Sequence, residues 1–320
     1  MNKGIYLAFD VGGTSIKAGV IDVSGRILEH TLSHYESKAN GSAAEIVDHF
    51  VKITNDLLQQ ADPNGLERIA GIGYAFPGPF DYEQGISYIQ GLNKFESLFG
   101  KRFGDQLLEA MRSNSSLASR LKSDFMPRFA NDAALFAIGE AHYGQAAAYR
   151  RVVCLTLGTG IGSSFIEAGR LIKHRDDVPD NGWVYPLPYR SSIVDDYISR
   201  RGLLLLAREM GIDLLGRDVK QLAEGAIRGD EALNMLFDSF GRCIAEALAA
   251  ALKIFNPDIV VLGGQISKSG ELFVPSLCRE LLHRGVQASV VISTDTLRNT
   301  LLGIYHTLQE DLGDEANDLG

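Results

Sequence analysis

The sequence predicts an α/β protein built from two lobes of similar design. At 320 residues the chain is long for a single hydrophobic core, so two lobes are expected. The strand and turn pattern at the start of the chain returns at residues 152–172, as a strand, a Gly-Thr turn, a second strand and a Gly-Arg turn. Thr159 follows Thr14 by 145 positions and Arg170 follows Arg26 by 144. This spacing favours a duplicated lobe, and a chance likeness of two hairpins is the alternative.

Alternation and turn residues predict the individual elements. The opening pattern indicates three strands at 5–11, 15–22 and 26–33, separated by tight turns. Ser42 followed by Glu45 resembles a capping box at the start of a helix. The remaining predicted elements are a helix at 42–60, a strand at 68–76, a helix near 103–112, a strand and helix within 127–144, a helix at 233–255 and a strand within 257–267.

Composition and charge narrow the class of protein. Hydrophobic residues make up 45% and charged residues 22% of the chain, as in ordinary soluble domains. A net charge of −9 argues against broad nucleic-acid binding, which needs a basic face. No apolar run approaches the roughly 18 residues that a membrane span requires. Three distant cysteines fit a reducing compartment, so we expect a cytoplasmic protein with neither nucleic-acid nor membrane partners.

The segment Gly12-Gly13-Thr14 interrupts two apolar strands, and two interpretations compete. It is either an ordinary hairpin turn or a loop shaped to hold phosphate. The second Gly-Thr turn favours the phosphate loop, because two such hairpins facing each other across a cleft could bind a polyphosphate through backbone N–H groups. Asp10 would then hold Mg²⁺ and its waters beside the phosphates, since Mg²⁺ uses few carboxylates and keeps several waters.

Asn131 and Asp132 precede an alanine-rich helix. Taken alone, the pair is a good helix N-cap. In a phosphotransfer site, a carboxylate at a helix start can also accept the proton of a substrate hydroxyl. Both roles can coexist, and the sequence leaves the choice open.

Five motifs together resemble the ROK family (repressors, open reading frames and sugar kinases), part of the actin-like and hexokinase-like ATPase clan. They run in order from residue 5 to about 305: DVGGTSIKAGVID, GIGYAFPGPFD, ANDAALFAIGEAHYG, LTLGTGIGSSFIEAGRL and FNPDIVVLGGQIS. The resemblance implies an ATP-dependent sugar kinase with two ribonuclease-H-like lobes and a central cleft. We place the lobes at 1–126, joined by a C-terminal helix at 300–320, and at 127–299.

The resemblance also implies roles for individual residues. Asp132 would be the catalytic base, and Asp10 would lie near the metal and phosphates. The expected nucleotide-binding residues are Asp10, Gly12, Gly13, Thr14, Lys17, Gly158, Thr159, Gly160, Gly263 and Gly264. The expected sugar-binding residues are Gly78, Asn93, Asn131 and Asp195. For Lys17 a solvated position on the hairpin is the alternative, and for Gly78 it is a purely structural turn.

One segment departs from the family pattern. Many members carry Gly-Glu-Ile-Gly-His and then a cysteine-rich zinc site, where this chain has Trp183 and Pro186 in place of the Glu and His and no nearby cysteine. We therefore expect no zinc site. Trp183 either stacks on a sugar or fills core space. Asp195 and Asp196 either take over sugar contacts or begin a capped helix.

The predicted reaction is the conversion of a hexose or amino sugar and Mg·ATP to sugar phosphate and ADP. The alternatives are a sugar-binding transcriptional regulator and a catalytically degenerate member of the same family. The sequence does not identify the sugar, and the resemblance favours a homodimer.

Overall fold

Two β-sheets and their helices make up the computed structural model, which describes residues 4–317 and the side chains of residues 4–310. The strands are β1 (Gly4–Val11), β2 (Ser15–Asp22), β3 (Ser33–Glu36), β4 (Arg68–Phe76), β5 (Phe80–Asp81), β6 (Ile86–Ser87), β7 (Arg128–Asn131), β8 (Arg151–Leu157), β9 (Ile161–Glu167), β10 (Arg170–Ile172), β11 (Pro188–Tyr189), β12 (Ser192–Ile193), β13 (Ile259–Gly263) and β14 (Ser289–Ile292). The helices are α1 (Ala43–Ala61), α2 (Phe103–Ser113), α3 (Ser115–Ala118), α4 (Asp132–Tyr143), α5 (Val194–Tyr197), α6 (Arg200–Glu209), α7 (Val219–Ile227), α8 (Glu231–Phe255), α9 (Val274–His283) and α10 (Thr296–Asn317).

The two large sheets repeat one topology. The first has the strand order β3-β2-β1-β4-β7 and the second has the order β10-β9-β8-β13-β14. In each sheet the first three strands along the chain pair antiparallel, and the last two lie parallel to the first. The predicted duplication is therefore confirmed, and with it the α/β fold class of two ribonuclease-H-like lobes.

Contacts divide the chain into two compact units. Unit 1 comprises Met1–Gly139 and Leu297–Gly320, and unit 2 comprises Glu140–Thr296. The boundary between the units falls after Gly139, whereas the sequence analysis placed it after residue 126. The reason is that β7 pairs with β4 and so belongs to the sheet of unit 1.

In unit 1 both faces of the sheet are covered. Helix α1 begins with the predicted capping box, in which Ser42 and Glu45 bond to each other's backbone amides. Its apolar face packs on one side of the sheet, where Phe50 lies among Phe9 and Tyr74. Side chains of α4 and α10 pack against β1 and β4 on the other side. The carboxyl ends of β1 and β7, where the candidate site residues lie, are therefore supported from both faces.

In unit 2, residues of α8 share one hydrophobic core with the sheet. This helix begins at the N-cap Asp230 and ends at Asn256, whose left-handed backbone (φ 51°) breaks the helix before Pro257. Phe237, Phe240 and Phe255 are fully buried on its inner face. They fix the sheet whose β8–β9 turn carries the second Gly-Thr motif.

The third predicted strand is wrong in position. The sequence predicted residues 26–33, and the structure has β3 at Ser33–Glu36. Asp22 Oδ1 accepts the amides of Ser24 and Arg26, which widens the turn after β2. The Thr31 hydroxyl then accepts the Val20 amide, so a side chain takes the place of a strand partner there.

Across residues 4–317, no helix has the length and apolar character needed to cross a membrane.

Candidate active site

The first Gly-Thr hairpin of unit 1 presents two backbone amides. The Gly12 amide is used within the turn, donating to Ser15 O at 2.9 Å. Ser37 fixes the loop, because its hydroxyl donates to Gly13 O at 2.6 Å and its amide to Thr14 O at 3.2 Å. In the described part of the chain, the amides of Gly13 and Thr14 have no protein acceptor. They are therefore available to an anionic ligand.

Asp10 and Lys17 lie opposite each other at the base of this hairpin. They are cross-strand partners on β1 and β2, and Lys17 Nζ is 3.1 Å from Asp10 Oδ2. Both side chains are about one quarter exposed, at 27% for Lys17 and 23% for Asp10. The lysine is thus paired with the carboxylate in this structure, and its predicted contact with phosphate stays a prediction.

One carboxylate in this setting fits a magnesium site. Mg²⁺ is held in phosphotransfer sites by one or two carboxylates, substrate phosphates and water. Asp10 supplies a partly exposed carboxylate on the strand that leads into the hairpin with the two free amides. Across residues 4–310 no three His, Cys, Asp or Glu side chains group together as they would around a metal ion bound by the protein alone.

At the end of β7, Asn131 and Asp132 divide the capping and carboxylate roles. Asn131 Oδ1 accepts the Ala134 amide at 3.1 Å, the bond of an N-cap. Asp132 is the first residue of α4, and its Oδ1 accepts the adjacent Ala133 amide at 2.8 Å. No described side chain donates to Asp132. Its Oδ2 is therefore available to a substrate.

The environment of Asp132 raises its pKa. The side chain is accessible to solvent, yet the protein packs densely around it and desolvates the carboxylate, which is the main cause of the rise. The negative charge of Asp10 adds to the rise, whereas the Ala133 amide and the positive charge of Lys94 oppose it. A carboxylate with a raised pKa is a better proton acceptor, and such shifts are common at catalytic sites.

The predicted sugar-binding residues Asn131 and Gly78 both lie beside the hydroxyl of Tyr82. Asn131 Nδ2 is 3.4 Å from the hydroxyl of Tyr82, which donates to Phe76 O at 3.1 Å. A Cβ at Gly78 would lie 3.3 Å from the same hydroxyl. The structure thus brings Gly78 and Asn131 together through Tyr82, a residue that the sequence analysis missed because no local motif marks it.

Asn93 lies in a loop with unusual backbone. It is exposed, has φ 53°, and its amide donates to Glu96 Oε1 at 2.9 Å. The next residue, Lys94, lies against Gly13, where a Cβ would be 3.0 Å from the lysine Cδ. The structure therefore brings a cation that the sequence analysis did not single out to the first hairpin.

In unit 2, the second Gly-Thr hairpin has the same character. The Gly158 amide donates to Gly160 O at 3.0 Å, and Gly158 O accepts the Arg200 amide at 2.8 Å. Within the described residues, the amides of Thr159 and Gly160 have no protein acceptor. The hairpin is therefore tied to the start of α6 and keeps two donors.

Gly263 and Gly264 lie beside this hairpin. Gly263 pairs with Thr156 at the end of β8 and β13. Gly264 has φ +89°, and a Cβ there would be 2.4 Å from Leu157 O. Only glycine fits this contact without displacing backbone. The structure thus brings the predicted nucleotide-binding glycines of unit 2 together.

Asp195 also belongs to this group. Its Oδ1 accepts the Ile161 amide at 2.7 Å, and its Oδ2 accepts from Arg201 at 2.5 Å. A Cβ at Gly160 would lie 2.6 Å from the same Oδ1. Oδ1 thus holds the second hairpin and Oδ2 is paired with α6, so the predicted sugar contact of Asp195 would compete with these bonds. Trp183 is half-buried, with its ring centroid 5.8 Å from that of Tyr185.

The chain is similar to known sugar kinases over its full length. A glucokinase from Thermotoga maritima is 26% identical over 340 aligned residues, which cover 100% of this chain and 96% of that protein. An N-acetyl-D-glucosamine kinase from Escherichia fergusonii is 29% identical over 283 residues, which cover 82% of this chain and 84% of that protein.

A solved structure has the same fold. The ROK family glucokinase from Streptomyces griseus, in complex with glucose and AMPPNP, has a TM-score of 0.73 at 20% identity, covering 96% of this chain and 100% of that chain. The sequence profile of the ROK family matches residues 6–303. Because that match includes both hairpins, the Asn-Asp pair and the paired glycines of β13, this chain is a member of the ROK family.

Proposed function

We propose that this protein transfers the γ-phosphoryl group of ATP to a hydroxyl of a hexose or amino sugar, with Asp132 as general base. The observation that carries the proposal is the state of Asp132. Its carboxylate has a raised pKa and an uncommitted Oδ2, and its unit also holds the two first-hairpin amides that have no protein acceptor among the described residues. A proton acceptor and phosphate donors are the parts that phosphoryl transfer asks of a protein.

The reaction requires one proton transfer and one exchange of bonds at phosphorus. The sugar hydroxyl gives its proton to Asp132 Oδ2, and its oxygen forms a bond to the γ-phosphorus. The bond from that phosphorus to the β,γ-bridging oxygen breaks, and ADP leaves with the electron pair. The amides of Gly13 and Thr14 donate to phosphate oxygens as charge shifts towards the leaving group.

Mg²⁺ bound with the nucleotide would neutralise phosphate charge, and Asp10 is the residue that would hold it through water. Lys17 keeps Asp10 in place through their ion pair.

In unit 2, we assign the nucleotide to Gly158–Gly160 and to Gly263–Gly264. The free amides of Thr159 and Gly160 support phosphate binding, and the absence of side chains at the paired glycines supports close approach of the nucleoside. Asp195 and Arg201 position this hairpin.

In unit 1, we assign the sugar to the groups around Asn131. Its Nδ2, the Tyr82 hydroxyl and the backbone at Gly78 offer donors and acceptors of the kind that sugar hydroxyls need. Asn93 is a further candidate, since its side chain is exposed. The names of the relatives make glucose and N-acetylglucosamine the first sugars to test.

The test is a coupled ADP-release assay over glucose, mannose, fructose, allose, N-acetylglucosamine and N-acetylmannosamine, with the phosphorylated product identified by mass spectrometry. We expect turnover on at least one sugar, lost in Asp132→Asn and retained in Asp124→Asn, which changes an exposed aspartate of the same unit. If AMPPNP binds but no sugar is phosphorylated, the protein is a degenerate member of the family and the proposal fails.

A further inference from the structure

Lys94 lies unusually close to the first hairpin. A Cβ built on Gly13 would be 3.0 Å from Lys94 Cδ, 3.4 Å from its Cβ and 3.7 Å from its Cγ. The distance of 3.0 Å is tighter than most Cβ contacts, so the lysine stem occupies the space that any other side chain at position 13 would fill. The close approach places a primary ammonium group beside a loop with two unused amides.

The backbone around Lys94 is held in a costly conformation. Asn93 has φ 53° and Phe95 has φ 54°, and a left-handed backbone is rare for a bulky aromatic residue. Tertiary contacts maintain it: the Phe95 amide donates to Ala39 O at 2.7 Å, and the Phe95 ring is fully buried, 5.1 Å from that of Phe76. Such strain persists where the surrounding structure imposes it, and it is frequent at ligand-binding positions.

The charge of Lys94 is not used by the fold. In the part of the chain that the structure describes, no carboxylate lies within ion-pair distance of Lys94. By contrast, Lys17 on the first hairpin is paired with Asp10. The Lys94 side chain is partly buried rather than extended into solvent. An ammonium group with no carboxylate at ion-pair distance can take its counter-charge from a bound anion.

The surroundings of Lys94 indicate which anion it meets. Its stem contacts the hairpin that offers amides to phosphate, and its charge lowers the pKa of Asp132, the proposed proton acceptor. The phosphoryl group that lies between a phosphate loop and the base during transfer is the γ-phosphoryl. A lysine acts on phosphate as a point charge and needs no fixed bidentate geometry.

We infer that Lys94 is a further catalytic residue, which binds the γ-phosphoryl group of ATP and stabilises its charge during transfer. This inference rests on the proposed phosphotransfer function. It assigns to the protein itself a cation at the transferred group, in addition to the hairpin amides. Removal of one preorganised donor at a developing charge typically lowers turnover by about 10²–10³-fold.

The experiment compares AMPPNP with ADP, because the two nucleotides differ by the γ-group. Binding of each in the presence of Mg²⁺ is measured by calorimetry for the wild type, Lys94→Met, Lys94→Arg and the control Lys52→Met, which removes an exposed lysine on α1. We expect Lys94→Met to weaken AMPPNP binding about 10- to 100-fold, as for one charge-assisted hydrogen bond. ADP binding should change less than about twofold, since the β-phosphate would be held by amides, and Lys94→Arg should recover most of the loss.

The outcomes separate this inference from the proposed function. Equal weakening of both nucleotides, or no weakening of either, would overturn the role of Lys94 whether or not the wild type phosphorylates a sugar. A raised KM for the sugar with unchanged nucleotide discrimination would also overturn it, because the lysine would then bind the acceptor. A protein that phosphorylates no sugar, but loses AMPPNP binding selectively in Lys94→Met, would support Lys94 while refuting the proposed function. Thermal unfolding of each variant shows whether a loss comes from the fold, in which case both nucleotides and Lys94→Arg would be affected alike.

Discussion

The substitution Asp132→Asn separates catalysis from helix capping at the same position. Asparagine has nearly the shape of aspartate, and its Oδ1 can still accept the Ala133 amide that Asp132 accepts at 2.8 Å. The N-cap bond of α4 belongs to Asn131 and is not altered. The substitution therefore removes the proton acceptor and leaves the start of the helix intact.

The expected loss of activity follows from the role of a general base. Such a residue contributes about 10²–10⁴-fold to the rate. At about 1.36 kcal/mol for each factor of ten, the loss corresponds to about 2.7–5.4 kcal/mol of transition-state stabilisation. The nucleotide affinity should not fall, because none of the assigned phosphate contacts is made by Asp132.

The free energy of unfolding of Asp132→Asn should be equal to or higher than that of the wild type. The pKa of Asp132 is raised in the folded protein, chiefly by desolvation, so the folded state binds this proton more tightly than the unfolded state does. Ionisation then costs stability as the pH rises through the interval between the unfolded and folded pKa values, and that cost is present at neutral pH. Asparagine carries no charge and removes it.

The assay pairs steady-state kinetics with urea unfolding for Asp132→Asn and for Asn131→Ala. The alanine variant loses the cap and should be less stable by about 1 kcal/mol. If Asp132→Asn keeps more than about a tenth of the wild-type kcat, which lies outside the range for a general base, the base assignment is wrong. If it loses stability as Asn131→Ala does, its function at the helix start is structural.

Three further predictions test the surroundings of the site. The apparent pKa of the acid limb of kcat/KM should be higher than that of an ordinary aspartate, because the pKa of Asp132 is raised. It should rise further in Lys94→Met, which removes a positive charge that lowers the pKa of Asp132. An acid limb that stays at the same pH in this variant would contradict the prediction. Gly264→Ala should lower the free energy of unfolding of unit 2 by more than about 1 kcal/mol in urea, because the new Cβ would lie 2.4 Å from a carbonyl oxygen of β8 at a residue with φ +89°. The control Gly216→Ala has φ +75° and open space around the new Cβ, so it measures the backbone strain alone. Asp195→Ala removes the oxygen that accepts the Ile161 amide and so should raise KM for ATP with little effect on KM for the sugar, and the reverse pattern would restore its predicted sugar contact.

Local signals in the sequence were sufficient for much of the fold. The strand at 68–76 was predicted to its exact ends, and helix α1 was predicted within one residue because Ser42 and Glu45 form a complete capping box. The two Gly-Thr hairpins identified the duplication, which the repeated strand order confirms. These features depend on residues close together in the chain, where periodicity and caps act.

Features that depend on distant contacts were not predicted. The position of β3 is set by Thr31, whose hydroxyl bonds to the Val20 amide eleven residues earlier. Tyr82 joins the candidate sugar site through Asn131, which lies 49 residues away. Lys94 lies against Gly13, 81 positions earlier in the chain, beside the buried Phe95. No local pattern distinguishes these residues from others of the same type in loops.

The two units share a scaffold and differ in the chemistry placed on it. In the β1–β2 hairpin, Asp10 and Lys17 face each other one residue pair away from the pair that flanks the turn. In the β8–β9 hairpin, Thr156 and Gly162 hold the corresponding positions. The charged pair of unit 1 is thus replaced by two uncharged residues, while the free amides of the turn are kept in both units. Since backbone amides can bind phosphate in either unit but metal and proton chemistry needs carboxylates, we propose that unit 1 supplies the proton acceptor and the metal contact, whereas unit 2 supplies only contacts to the nucleotide. In an Asp10→Asn background, transfer of the pair as Thr156→Asp with Gly162→Lys should therefore not recover turnover, and a gain of turnover from the unit 2 pair would contradict this division.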